Sequence, residues 1–262
     1  MVFYFTGTGN SLYAAKTLDA DYRSIPQAIH ESRHFCAPVI GVICPIYGHE
    51  MPDMVKRFFA ETELETQYFY LVLTYGNRHG GAAEMAEDYL ETIGKHADYI
   101  ATLKMVDNFL PFFDMDEQLA AEPEKRIEEH LAKIRQDIDR RRRWHQPVTE
   151  EERKWHREFV RYRANAAAQI GGDFYEVTEK CIGCGICTRV CPAGCITLKD
   201  QRAVYAEGSL PCQLCMACVH NCPKNAIRLR VPEKNPEARY RNPHIRLTEI
   251  VTANDQKNRI QG

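Results

Sequence analysis

The sequence predicts an α/β doubly wound parallel sheet over residues 1–115. A charged helical connection (116–172), a small α+β module (173–231) and a C-terminal tail (232–262) follow it. Three observations carry this prediction. Continuous apolar runs alternate with amphipathic stretches in the first part. Nine of the 11 cysteines fall between Cys181 and Cys222. Between these regions, residues 116–170 hold 13 basic and 12 acidic side chains. The formal charge of -2 gives no overall bias toward nucleic acid. No apolar run approaches the length of a membrane span. The opening MVFYFTGTGN has no basic n-region and no cleavage-site pattern, so no signal peptide and a cytoplasmic location are expected.

In chain order, VFYFT (2–6) reads as a buried strand, GTGNS as a tight polar loop and LYAAKTL as a helix start. DYRSI (21–25) supplies an edge strand. PVIGVICPIYG (38–48) is a second buried strand, followed by the helix MPDMVKRFFA. YFYLVLTYGNRHGG (68–81) is a third, followed by the helix AAEMAEDYLETIG. YIATLKMV (99–106) is weaker and leads into DNFLP. Apolar strands alternating with helices mean a parallel sheet covered on both faces. Ligands of such sheets sit at the carboxyl ends of the strands. The loops there are TGTGNS, PIYGHE and TYGNRHGG. The first offers backbone amides at a helix N-terminus and the hydroxyls of Thr6, Thr8 and Ser11, a setting for an anion. It lacks the lysine of a nucleoside-triphosphate loop and is not GxGxxG, so one phosphate monoester fits it best.

These loops resemble those of the flavodoxin family, with Thr6-Gly7-Thr8-Gly9-Asn10-Ser11 as the phosphate loop. The resemblance implies FMN as cofactor. It also implies that Pro45, Ile46, Tyr47 and Gly48, with Thr74, Tyr75, Gly76, Asn77, Gly80 and Gly81, flank the isoalloxazine. Tyr47 and Tyr75 are the candidate stacking rings. Thr74-Tyr75-Gly76 lacks the acidic residue that some flavodoxins place nearby. His49 and His79 lie in these loops and are expected to face solvent; the ten histidines show no metal spacing.

The cysteines form two runs, CIGCGICTRVCP (181–192) and CQLCMACVHNCP (212–223). Both read C-x2-C-x2-C-x3-C-P, the bacterial iron–sulfur pattern in which the fourth cysteine serves the other cluster. Cys181, Cys184, Cys187 and Cys222 are therefore expected to hold one [4Fe–4S] cluster. Cys212, Cys215, Cys218 and Cys191 would hold the second. Two zinc sites would leave both cysteine–proline pairs unexplained. The runs repeat with a period of 31 residues, which puts Cys195 opposite Ala226 and makes it a small buried residue, not a ligand. FYEV (174–177) and AVYA (203–206) precede strand-like ITL (196–198) and IRLR (227–230) in a pseudo-twofold pair of hairpins. Residues 173–231 resemble a bacterial two-cluster ferredoxin, with seven basic against five acidic side chains where small ferredoxins are commonly acidic. The fused order is similar to the EFR-type flavodoxin–ferredoxin fusions of anaerobes, which implies electron transfer.

In the connection, Ile127, Leu131, Ile134 and Ile138 form one apolar helical stripe, read as the last helix of the sheet, extended. Arg140 to Arg143, Pro147 and a basic helical stretch (150–170) follow. A solvated face is the ordinary reading of this charge, and a nucleic-acid surface has no recognised binding fold to support it. A docking surface is the sharper reading, because residues 1–115 carry net -7 and the remainder net +5. The tail either wraps back or hangs free. No Ser/His/Asp set or nicotinamide fingerprint appears, so no catalytic side chain is named. The expected function is intracellular relay of single electrons between two [4Fe–4S] clusters and FMN. The alternatives are a flavin-dependent reductase of a small acceptor and a redox-sensing interaction protein. The partner is an unidentified redox protein, with no nucleic acid and no membrane span. Contact within one chain and contact across a homodimer both fit.

Overall fold

The computed structural model describes residues 1–166, 174–205 and 212–256. The proposed boundary at 172/173, Ala206 at the end of AVYA, and residues 257–262 lie outside them. Strand β1 (Val2–Tyr4) leads through the glycine loop into helix α1 (Asn10–Leu18), then β2 (Tyr22–Ser24) and the short α2 (Ile25–Ala28). β3 (His34–Cys36), β4 (Ile40–Pro45), α3 (Asp53–Glu61), β5 (Glu63–Glu65), β6 (Phe69–Tyr75), α4 (Ala82–Thr92) and β7 (Tyr99–Lys104) follow. The central sheet runs β2-β1-β4-β6-β7, all parallel. Counted in chain order within the sheet, this is the 2-1-3-4-5 order of flavodoxin-like folds. β3 and β5 form a separate parallel pair that the sequence reading did not foresee.

The apolar runs are buried on both faces because alternate residues point to opposite sides. Phe3, Val42, Leu71 and Ile100 share one face with Phe58 and Phe59 of α3 and Ala86 and Leu90 of α4. Val2, Ile43, Val72 and Ala101 face the other way, onto Leu12 and Ala15 of α1.

After α5 (Met115–Ala120) comes α6 (Ile127–Asp139), then β8 (Trp144–His145). α6 buries Ile127, Leu131 and Ile134 against the second face. β8 pairs with β7 through Tyr99↔Trp144 and becomes the sixth strand. The sheet layer therefore extends beyond residue 115 into the stretch read as a connection. The physical reason is the apolar stripe, which must be covered and finds the open surface beside β7. Arg140 to Arg143 turn at this edge, where the run meets Gln67 and Asp98 of the acidic segment. Arg142 pairs with Asp137 at 2.9 Å and lies over the Trp144 ring, Arg143 pairs with Asp98 at 3.2 Å, and Arg141 donates to Gln67. α7 (Glu150–Ala166) packs over the carboxyl-end loops, with Arg153 paired to Glu84 of α4. The opposite charges of the ledger meet here, between the connection and the sheet.

The cysteine-rich module comprises β9 (Tyr175–Val177), α8 (Ile186–Val190), β10 (Ile196–Lys199), β11 (Arg202–Tyr205), α9 (Ala217–His220) and β12 (Ile227–Leu229). β10 pairs with β11 and β12 with β9, both antiparallel. The 31-residue repeat is written in the backbone. Gly183, Gly185 and Gly194 have φ of 66°, 72° and 64°, and their equivalents Leu214, Met216 and Asn225 have 52°, 54° and 53°. Glycine takes the left-handed conformation at no steric cost in the first half, and the second half holds it with side chains.

The tail wraps back. α10 (Leu247–Asn254) packs against α2 and β2 of the sheet module and α8 of the cysteine module. Asn254 is fully buried, and its Nδ2 donates to the Thr6 carbonyl at 2.9 Å and the Val190 carbonyl at 3.1 Å, one from each module. Asn254→Ala leaves both carbonyls without this donor. The expected loss is about 1–3 kcal/mol for a buried group left unpaired, read as a lower urea midpoint.

Candidate functional site

The three carboxyl-end loops converge. Ser11 Oγ and Thr74 Oγ1 share a hydrogen bond of 2.9 Å, and the Ile46 amide donates to the Thr74 carbonyl at 2.9 Å. The Tyr47 ring meets Phe5 edge-on, and Gly80 lies against the His49 ring. Thr6, Thr8 and Ser11 are buried. The Gly9 amide donates to Thr6 Oγ1 at 3.0 Å. Among the described residues, the amides of Gly7, Thr8, Asn10 and Ser11 meet no protein acceptor. These four N–H groups at the start of α1, with the Thr6 and Thr8 hydroxyls, which accept at Oγ1 and keep a proton to donate, suit the oxygens of one phosphate. The residues present fit the phosphate end of FMN.

The neighbours of this loop are the residues that sequence reasoning missed. Asn108 Nδ2 donates to Thr8 Oγ1 at 2.6 Å, Tyr240 Oη donates to Asn10 Oδ1 at 2.6 Å, and the Asn242 amide donates to the Thr8 carbonyl at 2.9 Å. His220 of α9 accepts from the Tyr240 amide at Nδ1 (3.1 Å) and donates from Nε2 to the Asn108 carbonyl at 2.8 Å. Burial holds this imidazole neutral, with its pKa lowered to about 4. Each is an isolated polar residue outside any periodic pattern of its own, so no spacing signal marked it. An acidic group also stands at the third loop, supplied by another strand end: Asp107 lies against Gly76, and burial pushes its carboxyl up.

The residues of the second and third loops are more enclosed than expected. Tyr47 is held in a tight turn by reciprocal backbone bonds with Glu50, with Gly48 at φ 61°. Burial beside Cys215, Cys44 and Cys212 pushes its hydroxyl well above the usual range. Tyr75 meets the His79 ring edge-on at 5.2 Å. His49 and His79 do not face open solvent, because α7 covers them. His79 pairs with Glu152, His49 packs against His156 and Phe159, and Arg78 lies 3.9 Å over the Trp155 ring. Pro45 ends β4, Asn77 approaches Asp107, and Gly80 and Gly81 lead into α4 at positive φ.

The cysteines fall into two groups. Cys181, Cys184, Cys187 and Cys222 line one cavity together. Burial with Cys222, Cys184 and Cys181 alongside pushes the Cys187 thiol up to about 12. Cys191 lies with Cys212, Cys215 and Cys218, whose thiols act on one another. Each group thus draws its fourth member from the other run. In both halves the residue four after the Cys–Pro cysteine donates its amide to that sulfur: Cys195 to Cys191 and Ala226 to Cys222, each at 3.2 Å. Cys195 is buried with its backbone amide on the Cys191 sulfur, and its thiol alongside holds Cys212 down to about 6. Two sets of four soft sulfur donors suit two iron–sulfur clusters.

The second group abuts the loop Thr6 to Ser11. A β-carbon placed on Gly7 would lie 2.6 Å from the Cys215 carbonyl oxygen and 3.1 Å from its Cβ. The Met54 amide of α3 donates to Gln213 at 2.9 Å. One apolar cluster runs from Phe5 and Tyr47 to Met216 and Cys218.

Residues 175–227 match the 4Fe-4S dicluster domain model. An uncharacterized ferredoxin of Methanocaldococcus jannaschii is 44% identical over 63 residues, covering 22% of this chain and 82% of that protein. An iron-sulfur protein of Rhodospirillum rubrum is 34% identical over 81 residues, 24% of this chain and 43% of that one. A solved structure from Bacteroides uniformis, described provisionally as a flavoprotein, is 13% identical, covers 45% of this chain and 93% of that one, and superposes with a TM-score of 0.32. Among the described residues no helix is long and apolar enough to cross a membrane. The sulfur geometry and these matches agree on the C-terminal module, through which the chain belongs to the ferredoxin family of 4Fe-4S dicluster proteins.

Proposed function

We propose that the chain is an electron-transfer flavoprotein of the EFR-type fusion class, moving single electrons between two [4Fe–4S] clusters and one FMN. The observation that carries this reading is the packing of Gly7 on Cys215, which sets the flavin phosphate loop against the second cysteine group. Cys212, Cys215, Cys218 and Cys191 would hold the flavin-proximal cluster. Cys181, Cys184, Cys187 and Cys222 would hold the distal one. FMN supplies a carrier of one or two electrons, and the clusters supply one-electron steps. The protein's own part is to bind, to fix distances and to exclude water. Thr6 to Ser11 bind the phosphate, the loops of Tyr47 and Tyr75 enclose the ring system, and α7 covers it. Asp107 stands as a buried acid beside the third loop.

The distal group faces outward. Cys184 is exposed, as are Ile182 and Leu198 at the rim of its cavity. A redox protein partner would exchange electrons there. A reducing compartment such as the cytoplasm suits eleven cysteines that form no disulfide. In this reading the flavin module comprises residues 1–115 together with α6 and β8, and the cluster module comprises 173–231.

The test of the flavin site is Thr8→Leu. It removes the hydroxyl and places apolar bulk among the loop amides. A lost hydrogen bond to a charged group is worth about 1.5–3 kcal/mol, so FMN affinity is expected to fall roughly ten- to a hundredfold, with iron content unchanged. FAD in place of FMN, or an unaltered affinity, would reject the loop assignment. A second reading, reduction of a small acceptor beside the flavin, is favoured by one observation. The Nδ1 atoms of His49 and His79, and of His156 of α7 itself, are buried without hydrogen-bond partners. Steady-state turnover with candidate acceptors separates it from pure electron carriage.

A further inference from the structure

The 31-residue repeat makes the two cluster faces of the C-terminal module equivalent position by position, and the two are covered differently. Ile182 corresponds to Gln213, Leu198 to Leu229 and Lys224 to Ala193. Around the proximal group these positions are taken up by contacts. Gln213 accepts from the Met54 amide of α3 at 2.9 Å, and Leu229 and Ala193 are each only 6% exposed. Around the distal group they stand open. Ile182 is 58% exposed, Leu198 is 42% exposed, and Lys224 is exposed beside them in the lining of the cavity that holds Cys184. Lys180, before Cys181, and Lys199, after Leu198, are exposed too. The turn between β10 and β11 packs on this loop, since a β-carbon on Gly183 would lie 2.3 Å from the Gln201 carbonyl oxygen. Two neighbouring carboxylates are already paired, Glu179 with Arg202 at 2.9 Å and Glu237 with Arg228 at 2.8 Å. Among the described residues no ion pair engages Lys180, Lys199 or Lys224, and against Asp200 of the turn they leave the face net positive.

We propose that this face docks a small acidic one-electron carrier protein, whose carboxylates meet Lys180, Lys199 and Lys224 around an apolar contact with Ile182 and Leu198. The inference rests on the reading that Cys181, Cys184, Cys187 and Cys222 hold the distal cluster, and it adds the chemistry of the partner. The repeat supplies the logic. The face that the sheet module covers at the proximal group has an uncovered equivalent at the distal group, and there a lysine replaces Ala193. Exposed like charges of this kind attract an oppositely charged protein from a distance and fix its orientation, so they act on the encounter rate. The two apolar side chains at the centre exclude water once the partner is seated. The step is a bare electron transfer. The reduced carrier loses one electron, the distal cluster gains it, and no covalent bond forms or breaks.

The test mixes anaerobically prepared full-length holoprotein with a reduced acidic two-cluster ferredoxin in a stopped-flow instrument and follows bleaching of its clusters. Reduced methyl viologen, a small cation, serves as the second donor. With the acidic carrier the wild-type rate is expected to be second order and to fall steeply as salt is added. The triple variant Lys180→Glu, Lys199→Glu, Lys224→Glu is expected to react with that carrier about tenfold more slowly or less, with a flattened salt dependence. Lys→Gln at the same three positions, which removes charge without adding any, is expected to fall between. Both variants should keep about eight iron per chain and react with methyl viologen at least as fast as the wild type. Ile182→Ala with Leu198→Ala is expected to slow the acidic carrier at every salt concentration. A rate with the acidic carrier that ignores salt, or that survives both sets of lysine changes, would overturn the inference. A viologen rate that falls in step with the carrier rate would overturn it too, because the lysines would then act on the cluster and not on the partner. Wild-type protein with fewer than about eight iron would bring down the ligation reading and the docking face with it, and that result is visible before any variant is made.

Discussion

A double variant that removes Cys184 and Cys222 together is expected to retain about four iron per chain, the same as either single variant, while Cys184→Ala with Cys191→Ala is expected to retain almost none. Wild-type protein should hold about eight. The reasoning is geometric. Cys222 lines one cavity with Cys181, Cys184 and Cys187, although it belongs to the other sequence run. Removing Cys184 and Cys222 therefore damages one cluster twice. Cys191 stands with Cys212, Cys215 and Cys218, so pairing its loss with that of Cys184 damages both clusters. If each run held its own cluster, the two double variants would exchange outcomes. Iron and acid-labile sulfide, counted anaerobically, decide the matter. Zinc in place of iron would reject the cluster assignment outright.

How much of this was legible beforehand depended on whether the signal was periodic. The cysteine spacing and the 31-residue repeat recur at fixed intervals, and apolar strands alternate with helices, so the parallel sheet and the cysteine module were legible while the strand order was not. The stripe Ile127, Leu131, Ile134 and Ile138 announced a covered helix but not the strand after it. Trp144–His145 is only two residues long, too short for alternation to show. The charge run at Arg140 to Arg143 suggested docking between modules. Its partners turned out to be Asp98, Asp137 and Gln67 of the same module. Charge totals give the sign of an attraction without saying which surfaces meet. The actual junction is made by single polar residues, Asn108, His220, Asn242 and Asn254, and by a glycine pressed against a backbone carbonyl. None of these has a pattern that can be read without coordinates. The acid at the third loop was sought near Thr74-Tyr75-Gly76 in sequence, whereas Asp107 arrives from the end of the neighbouring strand.

That junction sets the expectation for electron transfer. When the clusters of FMN-loaded protein are reduced rapidly and anaerobically by a low-potential donor, the flavin signal is expected to follow with a rate independent of protein concentration. Modules held in contact act at an effective concentration of the order of millimolar or above, against micromolar protein in the cell of the instrument, an advantage of about a thousandfold over free encounter. Roughly tenfold dilution should leave the rate unchanged. Added salt should have little effect, because the contact is made of buried amides, carbonyls and apolar side chains, which are screened far less than exposed charges. Reversing the charges at Arg140 to Arg143 should likewise leave the rate alone, since Arg141, Arg142 and Arg143 pair with Gln67, Asp137 and Asp98 and not with the cysteine module. Gly7→Val should slow it. The new Cβ would stand 2.6 Å from the Cys215 carbonyl oxygen, a backbone atom that can only move by opening the gap between the phosphate loop and the proximal cysteines. In that variant the clusters should still reduce at the wild-type rate and the flavin should lag. A flavin rate that rises linearly with protein concentration in the wild type would mean that the fused modules serve separate external partners, and the relay would have to be abandoned.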